Sequence, residues 1–197
     1  MFKLLVATNN QHKVHEYKEM FKAFPIEVYC PKDLNIVSDP VEDGDSYEAN
    51  SLIKARALQA YTDMPIIADD SGLSVNALGG FPGIYSSRFA SENGGNITAN
   101  PLLIKKLQPF SDKSAAFICV ITLLNVKDKP IQFKGVCPGH ILDKPEGEGG
   151  FGYDPIFYSE EAKQAFGTAP EEIKNKYSHR AKALKQLTDY LRENGLI

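Results

Sequence analysis

The chain opens on FKLLVA, residues 2–7, which is apolar apart from Lys3 and reads as a short buried strand. From about Gln11, Val14, Tyr17, Phe21 and Phe24 recur at helical spacing, and Pro25 ends that helix. IEVY is then a second strand, and residues 30–46, rich in Pro, Asp and Gly, form a loop. Ser46 caps a second predicted helix running to about Tyr61, with Ala49, Ile53, Ala57 and Ala60 on one face. The run IIA is a strand expected to end at DDSG, with LSV as a further strand and GGFPG as a turn-forming loop. AAFICVITLL is too β-branched and continuous for a surface helix and predicts a buried strand. IQFKGVC is its antiparallel partner across the turn KDKP. The last helix starts near Ser178, turns Ala181, Leu184, Leu187 and Leu191 inward, and stops at Gly195. Segments of βαβ type together with a hairpin predict an α/β fold built on a mixed sheet.

Composition narrows the picture. A chain of 197 residues, 43% hydrophobic and 24% charged, fits one globular domain spanning 1–197. The net charge of −3 gives no basic surplus to draw in a nucleic acid, though a local pocket for a small anion remains open. The three cysteines have no metal-ligand spacing and read as free thiols in a reducing compartment. The N-terminal apolar run is too short for a signal peptide, and no stretch approaches the roughly 18 apolar residues of a membrane span. A cytoplasmic protein with no nucleic-acid or membrane partner is expected.

Several polar segments carry candidate chemistry. TNNQHK, Thr8 to Lys13, joins the first strand to the first helix, and a helix N-terminus offers unpaired N–H groups to a phosphate. Lys13 opposes the helix dipole there, a cost that an anion would remove. Simple capping by Asn9 or Asn10, with Lys13 in water, is the competing reading. ADDSG places adjacent carboxylates, Asp69 and Asp70, after a buried strand, which suits a hard cation such as Mg²⁺; an Asp-Ser-Gly turn explains it equally. Alternation sends the two aspartates to opposite sides, so one of them can face a given cleft. Asn50 and Lys54 lie one turn apart behind the acidic Glu42-Asp43-Gly44-Asp45 loop, either as a phosphate contact or as a solvated face. GEGGFGYDP matches GxGxxG by letter, but no helix start follows. Its glycines let backbone close over a ligand while Phe151 or Tyr153 stacks on a flat base. In IKNKYSHR, Ser178 as cap puts His179 and Arg180 in the first turn of the last helix. GxSxG is absent, so nothing supports a serine hydrolase.

In order along nearly the whole chain, TNNQHKVHEY, EDGDSYEANSLIKAR, ADDSGLSVNALGGFPGIYSSRFA, GEGGFGYDPIF and KNKYSHRAKAL resemble the inosine/xanthosine triphosphate pyrophosphatases of the Ham1/RdgB type. The resemblance implies an elongated mixed sheet with flanking helices, two lobes around a nucleotide cleft, Mg²⁺ dependence and a homodimer. It implies hydrolysis of non-standard purine triphosphates to monophosphate and pyrophosphate. By position, Thr8, Asn9, Asn10, Gln11, His12 and Lys13 form the phosphate turn, and Lys54 is a further triphosphate contact. Asp70 is the general base and a metal ligand, Glu42 the second metal ligand, and Ser71 a substrate contact. Phe151, Gly152, Tyr153, Asp154, Lys174, His179 and Arg180 surround base and sugar. Ala49 stands where the family commonly has glutamate, and Glu48 points about 100° away from it on a helix. Ile173 stands where an acidic residue is typical, and Asn76 replaces a usual aspartate. Two competing functions are a Maf-like pyrophosphatase for modified pyrimidine or thymidine nucleotides and a non-catalytic nucleotide sensor. The SHR and FGYD segments disfavour the first, and Asp70 with Glu42 disfavours the second.

Overall fold

A computed structural model describes residues 1–197. The strands are β1 (Phe2–Val6), β2 (Ile26–Tyr29), β3 (Ile66–Val75), β4 (Ser114–Leu124), β5 (Ile131–Ile141), β6 (Phe157–Ser159) and β7 (Gln164–Ala165). The helices are α1 (Gln11–Phe21), α2 (Tyr47–Gln59), α3 (Ser86–Glu92), α4 (Asn96–Leu107), α5 (Glu171–Tyr177) and α6 (His179–Glu193). All seven strands join one mixed sheet in the order β2-β1-β3-β4-β5-β6-β7. β1 is parallel to β2 and to β3, whereas β5, β6 and β7 run antiparallel. The expected α/β fold with a mixed sheet is therefore the observed one. The β4–β5 hairpin is longer than predicted: Gln132 bonds Thr122 near the turn, and Ile141 N–H donates to Lys113 at the far end.

The chain divides into two compact units, Met1–Asp70 with Cys119–Lys134 and Ala183–Ile197, and Ser71–Ile118 with Gly135–Lys182. In the first unit, alternation along β1 builds two cores. Leu4 and Val6 pack with Ile67, Tyr17 and Phe21 of α1, and Leu184, Leu187 and Leu191 of α6. Leu5 and Ala7 pack with Ile66, Ala68, and Ala55 and Leu58 of α2. So α1 and α6 cover one face of these strands and α2 covers the other. The second unit has its own core around Leu73, Leu103, Phe117, Phe157 and Phe166.

Three expectations change. DDSG lies inside a continuous strand, because β3 runs from Ile66 to Val75 without a break, so LSV is not separate. The strand continues there because Leu73 N–H is held by the Ser86 hydroxyl at 2.9 Å and Val75 N–H by the Phe81 carbonyl. Helix α2 buries Tyr47, Ser51, Ala55 and Leu58, not the stripe of Ala49, Ile53, Ala57 and Ala60. Polar Ser51 tolerates burial because its hydroxyl meets that of Thr122 at 2.6 Å. In α6, Ala183 is buried in place of Ala181. Helix α1 stops at Phe21, ahead of Pro25, and Gly195 at φ +67° closes α6 as expected. Helices α3 to α5 and strands β6 and β7 were not predicted from the pattern.

Candidate active site

In the first unit the site begins where β1 ends. The last β1–β3 pair is Val6 with Ile67, and the chain then turns through Thr8 into α1. Thr8 Oγ1 accepts the Asn10 N–H at 3.1 Å. Asn10 caps α1, its Oδ1 accepting from His12 N at 3.0 Å and Lys13 N at 3.4 Å. Asn9 donates to the Ser38 carbonyl at 3.0 Å, which ties this turn to the loop before α2, and Gln11 reaches back to Asn9 O. Gln11 and His12 are exposed.

Beyond Ile67, β3 carries its two carboxylates. Asp69 follows the Ile67 face, under α1, and Asp70 follows the Ile66–Ala68 face, under α2. Each meets a lysine from the helix that covers it. Lys13 Nζ lies 2.9 Å from Asp69 Oδ2, and Lys54 Nζ lies 3.1 Å from Asp70 Oδ1. Lys54 also sits 3.2 Å from Glu42 Oε1, so it bridges the acidic loop to the strand. Lys13 is therefore paired and not solvated. Asp70 is 6% exposed, and its Oδ2 is buried with no hydrogen-bond partner. Burial raises its pKa above the ordinary value of 3.8, against the pull of Lys54 and Lys13. Burial lowers that of Lys54, but Asp70, Asp69 and Glu42 outweigh it and hold the ammonium charged. Tyr47, at the start of α2, has a buried hydroxyl without a partner; burial, and then the charge of Asp70, push this phenol up. Tyr47 and Lys54, seven residues apart, share one face of α2. The hydrophobic pattern alone concealed this tyrosine, because an aromatic in the first turn of a helix reads as core.

Near Ala49, Asn50 Oδ1 accepts the Gly44 N–H at 2.9 Å, folding the acidic loop onto α2. Glu48 turns instead to Lys134, at 3.2 Å. Asn76 donates to Ser114 at 2.8 Å.

In the second unit, residues 150–154 form a tight loop around Asp154. Its Oδ2 accepts Phe151 N–H at 2.9 Å and pairs with Lys174 Nζ at 2.6 Å. Gly150, at φ +71°, has no room for a side chain, since a Cβ there would strike that carboxylate. Lys174 also stands 5.6 Å from the centre of the Phe151 ring. Phe151 is half-buried, whereas Tyr153 is core, its hydroxyl donating to the Ser86 carbonyl. Of the two aromatics offered for base stacking, Phe151 is the one that is partly exposed. Gly152, at φ +66°, accepts Asn100 Nδ2 at 3.1 Å. Arg180, 2% exposed, donates from Nη2 to Ser71 Oγ at 3.3 Å, and the His179 ring stacks on Phe117 at 4.8 Å. Ser178 caps α6 through Ala181 N–H, as its position predicts.

The model of the Ham1 family matches residues 4–190. A dITP/XTP pyrophosphatase of Thermoanaerobacter sp. (strain X514) is 44% identical over 191 residues, covering 96% of each chain. One from Geobacter sulfurreducens is 39% identical over 198 residues, with both chains fully covered. Among solved structures, the Staphylococcus aureus Ham1 protein superposes with a TM-score of 0.87 at 36% identity, covering 98% of this chain and 99% of that one. A HAM1 protein from Coxiella burnetii gives 0.88 at 36% identity, covering 98% and 100%. With full-length matches in sequence and in fold, this chain belongs to the Ham1 family.

Proposed function

We propose that this protein is a nucleoside triphosphate pyrophosphatase that cleaves non-standard purine triphosphates, dITP and XTP among them, to monophosphate and pyrophosphate. The observation that carries the reading is Asp70: a buried carboxylate with one oxygen held by a lysine and the other without a partner. Its relatives' names supply the substrate class. One catalytic domain, 1–197, a cytoplasmic location and a homodimer belong to the same reading.

The triphosphate is taken by the Thr8–Lys13 turn and Lys54, chiefly through the two ammonium groups. Lys54 fixes Asp70 Oδ1, leaving Oδ2 to accept a proton from the attacking water. A pKa raised by burial makes this carboxylate a stronger base than an ordinary aspartate. The water attacks the α-phosphorus and pyrophosphate leaves, its charge met by the lysines. No side chain needs to form a covalent intermediate.

Mg²⁺ fits these residues. The Asp70 and Glu42 carboxylates, both within reach of Lys54, would hold it, and no third His, Cys, Asp or Glu joins them in a cluster. That is the donor set of an ion that takes one or two carboxylates and fills its sphere with water and substrate phosphate. When bound, it would neutralise phosphate charge and acidify water.

Phe151 stacks on the base, with Lys174 beside its ring. Arg180 and His179 donate to a 6-oxo acceptor, which inosine, xanthosine and guanine carry and adenine lacks. A site built on such bonds rejects the analogue lacking the acceptor by up to roughly 10⁴–10⁵. The expected order of kcat/KM is ITP or XTP first, GTP well behind and ATP last. Initial rates with each triphosphate and Mg²⁺, with and without EDTA, test this: activity should need the metal and follow that order. Equal rates on ATP and ITP would refute the base assignment, and full activity in EDTA the metal.

A further inference from the structure

Asp69 has no part in the chemistry assigned to Asp70, yet it is the more deeply buried of the two neighbours. Its side chain is 1% exposed, and the side chain of Lys13, its partner at 2.9 Å, is 15% exposed. The Cys119 thiol lies 3.9 Å from the same Asp69 oxygen, and buried Ile67 precedes Asp69 on the same face of β3. A carboxylate in such surroundings is strongly disfavoured unless it is paired. Lys13 has the complementary problem, because a cation in the first turn of α1 opposes the helix dipole. The carboxylate answers both. An ammonium has three donors, so one directed at Asp69 leaves others for a ligand at the helix N-terminus. A free lysine side chain carries substantial rotamer entropy, part of which this pairing removes before any ligand arrives.

We propose that Asp69 is a positioning residue for the triphosphate: from beneath α1 it holds the Lys13 ammonium at the N-terminal turn, where it meets a phosphate oxygen. This rests on the proposed pyrophosphatase reading. β3 thus serves the substrate with both faces, Asp70 toward the reacting water and Asp69 toward the phosphate-binding lysine.

The test is a coupling measurement on the full-length protein with Mg²⁺. The probe is the α,β-imido analogue of dITP, which resists cleavage at the reacting bond, and binding is read by calorimetry. Asp69→Ala should weaken binding about tenfold or more, the scale of a lost charge-assisted contact. Asp69→Asn should weaken it less, since its amide oxygen still accepts from the ammonium. Neither change should weaken binding further in a Lys13→Ala background, and deoxyinosine binding should not move. Equal losses with and without Lys13, or a parallel loss for deoxyinosine, would overturn the proposal. Should Asp69→Ala not fold, Asp69→Asn in the two backgrounds decides by the same comparison. Wild-type protein that neither binds the analogue nor cleaves dITP would remove the pyrophosphatase reading itself, and the role of Asp69 with it. Binding and cleavage without coupling would remove the role of Asp69 alone.

Discussion

Asp70 is held under two opposing influences, burial raising its pKa and the ammonium groups of Lys54 and Lys13 lowering it, and burial prevails. Asp70→Asn keeps the shape and removes the base, so kcat should fall by at least about 10²-fold, the scale of a lost general base. Near-normal turnover at saturating Mg²⁺ would contradict that role. The same group makes a stability prediction. Its folded pKa lies above its unfolded one, so its favourable contribution is complete below the unfolded value and is lost as pH rises through the folded pKa. The asparagine, neutral throughout, should melt at or above wild type at about pH 8, and the gap should close toward about pH 4. Thermal melts at both pH values check this. A variant melting well below wild type at about pH 8 would mark the Asp70 charge as a net stabiliser.

At the scale of elements, β3 depends on an approach that a side chain would block. A Cβ on Gly72 would run into the Gly83 carbonyl oxygen, with Ser86 Oγ close by at 2.8 Å. That serine accepts Leu73 N–H and donates to the Gly83 carbonyl at 2.6 Å, so it fastens residues 83–86 to the strand. Gly72→Ala should cost about 1–3 kcal/mol, as overpacking does. Urea denaturation would show it as a lower midpoint, and an unchanged midpoint would mean that the segment yields without cost. The same fastening explains why DDSG misled the reading of the sequence. Asp, Asp, Ser and Gly in a row signal a turn, and the serine that keeps them extended is thirteen positions along the chain. In α2, the stripes through Ala49 and through Tyr47 are similarly apolar, and Thr122, far off in sequence, decides between them. Helix α1 was legible because Val14, Tyr17 and Phe21 recur at helical spacing in a segment that is polar apart from them and Met20. Helix α4 was hidden by Pro101 inside it and by the polar turn of Asn96 to Asn100. Along β3, alternation placed the two aspartates on opposite faces, but the lysine that meets each comes from a different helix, which no local pattern reveals.

Across the whole molecule, the candidate residues fall into a set in each compact unit. One presents lysines, carboxylates and a helix N-terminus, and the other presents Phe151, Lys174, His179 and Arg180. No helix is long and apolar enough to cross a membrane. In the proposed reaction a water, with its proton taken by Asp70, attacks the α-phosphorus and releases pyrophosphate whole. Hydrolysis of dITP in ¹⁸O-labelled water, with Mg²⁺ present and the products separated for mass analysis, tests this point of attack. The expected products are dIMP bearing the label and pyrophosphate free of it. Label in the pyrophosphate, or dIDP with labelled orthophosphate, would contradict it.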